Sequence, residues 1–399
     1  MLQHQPRVIV HNRLVVVAAV MVIYSFMASA LAEGDVDLIW REAKALPNSL
    51  GVAGPFVGTH NGVLIVAGGA NFPRPVWETS KEWHTDIHVL VKQGSGYVWR
   101  EGGQLPRPLG YGAAVSTADG IVCIGGNDAQ QTYRDVFLLR WDVASTRVMV
   151  EPFPLLPKPC AFGAATLVGN VIYLAGGQSG PKLDSAMKNF WTLDLTKRGT
   201  PSEFVWQEQP AWPGPTRALN LNVRAFNGTD ECVYVISGRR QEGEQIQFLK
   251  DVWQYTPQTK QWSRREDIPR CMMAGTAIDY GKSRILVLSG ADGTLFARSG
   301  ELKDRHPGFP KSAFVYHADK DQWRSAGAIP ANQVTTIAVK WEGSVVIASG
   351  EIRPRVRSPK VWLVHEKSDS HRRRSYDATV VVIVLLALAG FVAYAASER

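Results

Sequence analysis

The chain has 399 residues, 45% of them apolar and 20% charged, so it can bury a large core and is not a disordered chain. Its net charge of +8 includes the run "HRRR" at 371–374. No long basic stripe with interleaved aromatics is present, so nucleic acid is not an expected partner. The four cysteines, Cys123, Cys160, Cys232 and Cys271, lack paired metal-ligand spacing and are read as unbridged, with Cys123 in an apolar strand; no metal or cofactor is implied.

Residues 14–32, "LVVVAAVMVIYSFMASALA", follow Arg7 and Arg13 and carry small residues at Ala28, Ala30 and Ala32. That pattern suits a signal peptide, or an anchor if it is retained, over 1–32. The body that follows is expected to be exported, on the periplasmic or extracytoplasmic side.

Next comes "LIWREAKALP" at 38–47, which returns at 97–106 as "YVWREGGQLP". Trp40 precedes Pro47 by seven residues, and the same offset joins Trp99 to Pro106, Trp206 to Pro213, Trp262 to Pro269 and Trp323 to Pro330. Val150 and Pro157 form a sixth copy without the Trp. A second series ends on glycine: "VLIVAGG" (63–69), "IVCIGG" (121–126), "VIYLAGG" (171–177), "VYVISG" (233–238), "ILVLSG" (285–290) and "VVIASG" (345–350). In blade four, Arg239 is read in the place of the second glycine. Six copies of each mark at fifty to sixty residues predict an all-β, six-bladed propeller of kelch type over 37–365.

Each unit reads as a strand, a tight turn ("HNGV", "ADGI", "VGNV", "WEGS"), a strand ending at the glycine mark, a variable loop, a third strand, and a fourth near the Trp mark. Trp40 has a fourth strand with no first three. The last unit has three, at 333–341, 344–349 and 359–365, and no fourth. The strand around 37–42 is therefore expected to close the ring as the outer strand of blade six, removing exposed edges. The tryptophans are read as blade packing.

This strand order puts the loops after the glycine marks and after the Pro marks on one face, where a site is expected. Those loops carry Arg239, Arg240, Arg353, Arg355 and Arg357, a mouth suited to an anionic ligand. A basic linker at 366–377 then leads into 378–396, "ATVVVIVLLALAGFVAYAA", a stretch without charge that predicts a transmembrane helix. Arg372–Arg374 flank it on the side that positive-inside bias would keep cytoplasmic, against the exported body.

The stretch "SGEIRPRVRSPKVW" (349–362) resembles the Gly-Glu-x-Lys/Arg-Pro-x-x-Arg segment of sialic acid mutarotases, the N-acetylneuraminate epimerases. "AGGANFP" (67–73) and "HTDIHV" (84–89) resemble another blade of that family, in a shifted order, as in a circularly permuted ring. The resemblance implies an isomerase that interconverts the α- and β-anomers of N-acetylneuraminate or a related acidic keto sugar, without cofactor or metal. It implies that Glu351 is the base and that Arg357 clamps the sugar carboxylate. Arg239, Arg240, Asn71 and Asn127 are candidate substrate-binding helpers by loop position. The propeller followed by one apolar helix also resembles the front of fusions to sodium:solute symporters, which makes such a transporter a candidate partner. The rival readings are a non-catalytic sialic-acid-binding propeller that feeds a transporter, an interaction scaffold, and a copper oxidase. For the last, His84, His306 and Tyr133 are the only scattered ligand candidates.

Overall fold

The structure, a computed structural model, describes residues 36–367. The expected signal segment (1–32), nearly all of the basic linker and the apolar segment 378–396 lie outside the described residues. Among the described residues no helix is long and apolar enough to cross a membrane.

Hairpin chemistry sets the blades. Asn61 and Gly62 carry φ of 48° and 77°, the left-handed pair that a tight turn of matched twist requires. They fold Phe56–His60 onto Val63–Ala67. Repetition of such units gives six four-stranded antiparallel sheets. The innermost strands are Phe56–His60, Ala113–Thr117, Ala164–Val168, Leu221–Phe226, Met273–Tyr280 and Ala338–Trp341. The sixth sheet is closed from the far end of the chain. Leu38–Ala43 pairs antiparallel with Val361–Glu366, from Leu38 opposite Glu366 to Ala43 opposite Val361. The predicted ring closure is thus observed.

Apolar side chains fill the seams between blades. Phe56, Ile65 and Val89 of blade one pack with Ile121, Cys123, Phe137 and Leu139 of blade two. Burial of each such large side chain contributes about 2 kcal/mol. All four cysteines are free and buried.

The recurring Trp does more than fill space. Trp99, Trp206, Trp262 and Trp323 donate their indole N–H to the carbonyls of Lys44, Pro154, Pro210 and Glu266, at 2.7–3.0 Å. Each acceptor lies three residues before the Pro mark of the preceding blade, so the Trp and Pro marks together stitch outer strands across four of the six seams. Trp40 instead meets Trp362 edge-on at 6.0 Å, and its indole nitrogen has no protein partner.

The glycine marks work at the axis. Gly68 and Gly125 have φ of 63° and 61°, and a Cβ there would lie 2.3 Å from the Leu109 carbonyl and 2.1 Å from the Cys160 carbonyl of the next blade. In blade four Ser237 takes this first place with φ 57°, Gly238 keeps the second, and Arg239 follows the mark rather than occupying it. Ser237 and Ser349 justify the strained backbone with their hydroxyls, which accept the N–H of Met272 and Val52 from the neighbouring blade at 2.8 Å.

At or just before the start of each innermost strand one residue sits in the left-handed region: Gly54, Tyr111, Phe162, Leu219, Ala274 and Thr335, with φ between 54° and 67°. Each donates its N–H to the carbonyl of its counterpart in the preceding blade at 2.6–2.8 Å, and Gly54 donates to Thr335. The result is a closed belt of backbone hydrogen bonds around the axis.

Candidate functional site

The residue after each glycine mark is held against this belt. Ala70, Asn127, Gln178, Arg239 and Glu351 form isolated antiparallel bridges to Ala53, Gly110, Ala161, Ala218 and Val334, each the residue just before a belt position. Ala291 pairs likewise with Met273. Six equivalent positions therefore ring the axis on the loop face, and Asn127, Arg239 and Glu351 hold three of them.

Glu351 opens a short hairpin, Glu351–Arg353 with Val356–Arg357. In its register Glu351 stands directly opposite Arg357. Cross-strand partners share a face, which is why a spacing of six brings the two side chains together. Nη2 of Arg357 lies 3.5 Å from Oε2 of Glu351; the side chains are 3% and 17% exposed. The N–H of Arg355 donates to Oε1 of Glu351 at 3.0 Å. Arg357 also donates through Nε to the Ala70 carbonyl at 3.3 Å and through Nη2 to the Tyr111 hydroxyl at 3.2 Å. Burial pulls the Arg357 pKa down, but Glu351 and Tyr111 outweigh it and the net shift is upward, so the guanidinium stays charged. Its Nη1 is buried without a protein partner. A buried, unsatisfied cationic nitrogen is rare in a folded chain and marks a place where a ligand can bind.

Neighbouring loops complete the cup. The rings of Phe72 and Trp77 lie 3.9 and 5.5 Å from the Arg355 guanidinium, and Phe72 also lies 4.8 Å from that of Arg357. Arg355 donates to the carbonyls of Val76 and Thr79 at 2.6 Å, and Arg353 binds the carbonyl and carboxylate of Asp304. The hairpin is thereby tied to the loops of blades one and five. The Lys81 ammonium rests over Phe72, Trp83 and Tyr111 at 4.8–5.7 Å.

The other candidates fall in two groups. Arg239 is mostly buried, lies over the Phe296 ring at 5.1 Å, and has an unpartnered Nε. Burial holds its pKa below the usual range, opposed by the charge of Glu351, so the two share one electrostatic site. Asn127 is 8% exposed with an unpartnered Oδ1. Asn71 and Arg240 stand one residue beyond the ring positions, and the Asn71 Oδ1 is likewise buried without a protein partner. Asn71 donates to the Gly51 carbonyl at 2.9 Å and borders a small cavity of about 100 Å³ with Phe72, Arg355 and Arg357. Arg240 is taken up by Gln247 and Glu242 of its own hairpin, both at 2.7 Å. Tyr111, Lys81 and Phe72 enter the site without having been singled out in the sequence. The visible signal for Tyr111 was its column: it is the one tyrosine among the six belt residues.

A cavity of about 360 Å³ forms the axial channel between the innermost strands. Tyr111 borders it, but Glu351 and Arg357 do not. Asp279, which also lines it, pairs with Arg224 and Lys340 at 3.2 and 2.6 Å. Asn220 and Asn222, whose Oδ1 atoms lack a protein partner, line the channel as well, whereas the Glu351–Arg357 pair lies apart from it in the cup on the loop face. Tyr133 donates to Asp128 at 2.5 Å, His84 lies in the blade-one loop and His306 in that of blade five. Among the described residues, no three carboxylate, thiol or imidazole groups converge as a metal site would require.

Residues 29–148 and 153–305 match the profile of the family described as N-acetylneuraminate epimerase. Among curated proteins, the N-acetylneuraminate epimerase of Yersinia enterocolitica is 26% identical over 239 residues, covering 53% of this chain and 57% of that protein. That of Salmonella typhimurium is 22% identical over 233 residues, 52% of this chain and 57% of that protein. The chain thus matches little more than half the length of these relatives. A solved structure described as "Structure of YjhT" superposes with a TM-score of 0.60 at 13% identity, covering 82% of this chain and 99% of that one, a likeness in fold. The profile match ends before Glu351 and Arg357.

Proposed function

We propose, from the premise that this chain belongs to the N-acetylneuraminate epimerase family, that it interconverts the α- and β-anomers of N-acetylneuraminate or a closely related acidic keto sugar. The pairing of Glu351 with Arg357 carries this reading. Ring opening needs a base for the anomeric hydroxyl, and Glu351 offers a carboxylate fixed in place by Arg357 and the Arg355 N–H. The sugar carboxylate needs a fixed cation, and Nη1 of Arg357 has unused N–H groups in a buried setting. Arg239 and Asn127 bring further unpartnered polar atoms to the same ring of positions. The open keto form turns about its new carbonyl and recloses on the other face, so the same groups serve in both directions.

We read the ring as circularly permuted. A closed ring has no physically first blade, so its start can move without altering the site. Sequence matches that stop at 57% of the relatives, beside a superposition that covers 99% of a solved propeller, support this reading. The placement outside the cytoplasm, the anchoring helix and the link to a symporter rest on residues 14–32 and 378–396. Alkaline extraction of membranes carrying the full chain tests the anchor.

Proton NMR of anomer exchange tests the activity. The purified protein is expected to accelerate exchange of N-acetylneuraminate, and Glu351→Gln to slow it by about 10²–10⁴-fold while sugar binding persists. Exchange at the wild-type rate in that variant would remove Glu351 from the reaction.

A further inference from the structure

Base catalysis at the anomeric hydroxyl is half of the chemistry. When the bond between the anomeric carbon and the ring oxygen breaks, that oxygen must gain a proton. Resting on the epimerase reading above, we propose that the Tyr111 hydroxyl gives this proton as the ring opens and takes it back as the ring closes.

Three observations converge on Tyr111. First, its distance from the base is right. The Tyr111 oxygen and Oε2 of Glu351 stand 3.2 and 3.5 Å from the same nitrogen, Nη2 of Arg357, so they are less than about 7 Å apart. The two oxygens to be served are bonded to one carbon. An acid and a base that each reach their oxygen at a hydrogen-bond length of about 2.6–3.2 Å can bracket that carbon at such a separation. Second, its proton is available. The hydroxyl accepts from Arg357, which leaves its own O–H to donate elsewhere. Among the described residues that O–H has no recorded acceptor. Third, the ring is fixed. Tyr111 is 7% exposed and held at a left-handed belt position, with Trp83 at 5.3 Å and Phe162 at 4.9 Å between ring centres. The backbone belt, bonded from Gly54 to Tyr111 and on to Phe162, keeps that ring in place.

The step balances without a co-reactant. The anomeric O–H gives its proton to the Glu351 carboxylate, and the freed electron pair forms the carbonyl. The carbon–oxygen bond of the ring breaks towards the ring oxygen, which takes the Tyr111 proton. The resulting phenolate faces the Arg357 cation. After rotation, the hydroxyl attacks the other face of the carbonyl and returns its proton to Tyr111, and Glu351 returns the first proton to the new anomeric oxygen.

His306 is the other neutral donor within reach of the Glu351 charge. Its Nδ1 accepts the Gly308 N–H at 3.1 Å, which puts its one proton on Nε2. Burial and then Arg353 lower its pKa against the opposing pull of Glu351, so the ring is neutral. A neutral imidazole releases its last proton far less readily than a phenol does.

The test is Tyr111→Phe in the full-length protein, with N-acetylneuraminate. Phe162 occupies the equivalent belt position at the same φ of 58°, so phenylalanine fits there. The expected result is a fall of at least about 100-fold in the exchange rate at saturating sugar, with the dissociation constant from calorimetry changed by less than about threefold. A purely structural role would move binding and melting temperature together with rate. Exchange within about twofold of wild type in Tyr111→Phe overturns the assignment, as does a loss confined to His306→Gln. A wild-type protein that does not accelerate exchange while it binds the sugar overturns the epimerase reading itself, and this step with it.

Discussion

At the scale of single residues, Arg357 serves two roles that a lysine cannot share. It holds Tyr111 and Glu351 through one nitrogen and leaves the other without a protein partner. A planar fork can do this; a single ammonium cannot. Arg357→Lys is therefore expected to weaken binding of the sugar by at least about tenfold, despite the retained charge, and Arg357→Ala to weaken it further. Calorimetric titration with N-acetylneuraminate checks both, and a lysine variant with wild-type affinity would show that charge alone suffices. The contact of Glu351 with Arg357 was legible because they lie in one short motif and meet across one hairpin. Tyr111 was not, because it comes from blade two and reaches them only through the ring closure. Arg240 looked equivalent to Arg239 in the sequence, since loop position alone does not tell that Gln247 and Glu242 of its own hairpin take it up.

At the scale of elements, the glycine mark is a contact between blades. Where a serine takes the first place with a left-handed backbone, as Ser237 and Ser349 do, it has to supply something for that conformation. Ser349 is fully buried, accepts the Val52 N–H at 2.8 Å, and can donate to the carbonyl of Val52 or Ser358 at 2.9 Å. Ser349→Ala keeps the unfavourable φ of 57° and leaves the Val52 N–H buried without its partner. The expected loss is about 1–3 kcal/mol, read from urea unfolding. Ser349→Gly loses the same bond but relaxes the backbone, and is expected to unfold at a higher midpoint than the alanine variant. The marks themselves were plain in the sequence because they repeat. Their division of labour was not: reading Arg239 as a replaced glycine missed that Ser237 fills the first place, which its φ of 57° and its bond to Met272 make evident.

At the scale of the whole molecule, the ring depends on its two ends meeting. The strand Leu38–Ala43 covers Val361–Glu366 along six residue pairs. Lys360 and Lys367 bridge to Glu42 and Asp37 at 2.8 and 3.0 Å, though exposed pairs of this kind contribute little. The Leu46 N–H reaches the Pro359 carbonyl at 2.8 Å, and the Lys44 carbonyl accepts the Trp99 indole of blade one. The same stretch thus completes blade six and stitches it to blade one. Removing residues 36–47 would strip the outer strand, leave Val361–Glu366 as an open edge, and release Trp99. Open edges pair with other chains, so the shortened protein is expected to melt well below the intact one and to elute as oligomers in size-exclusion chromatography. The inner belt makes a further demand. Glu351 and Arg357 stand on blade six, Tyr111 on blade two, and blade one lies between them. Any loosening of the seam between blades six and one should therefore lower anomer exchange at temperatures where most of the protein is still folded. Activity that survived the deletion at full rate, in a monomeric protein with an unchanged melting temperature, would mean that the belt alone closes the wheel.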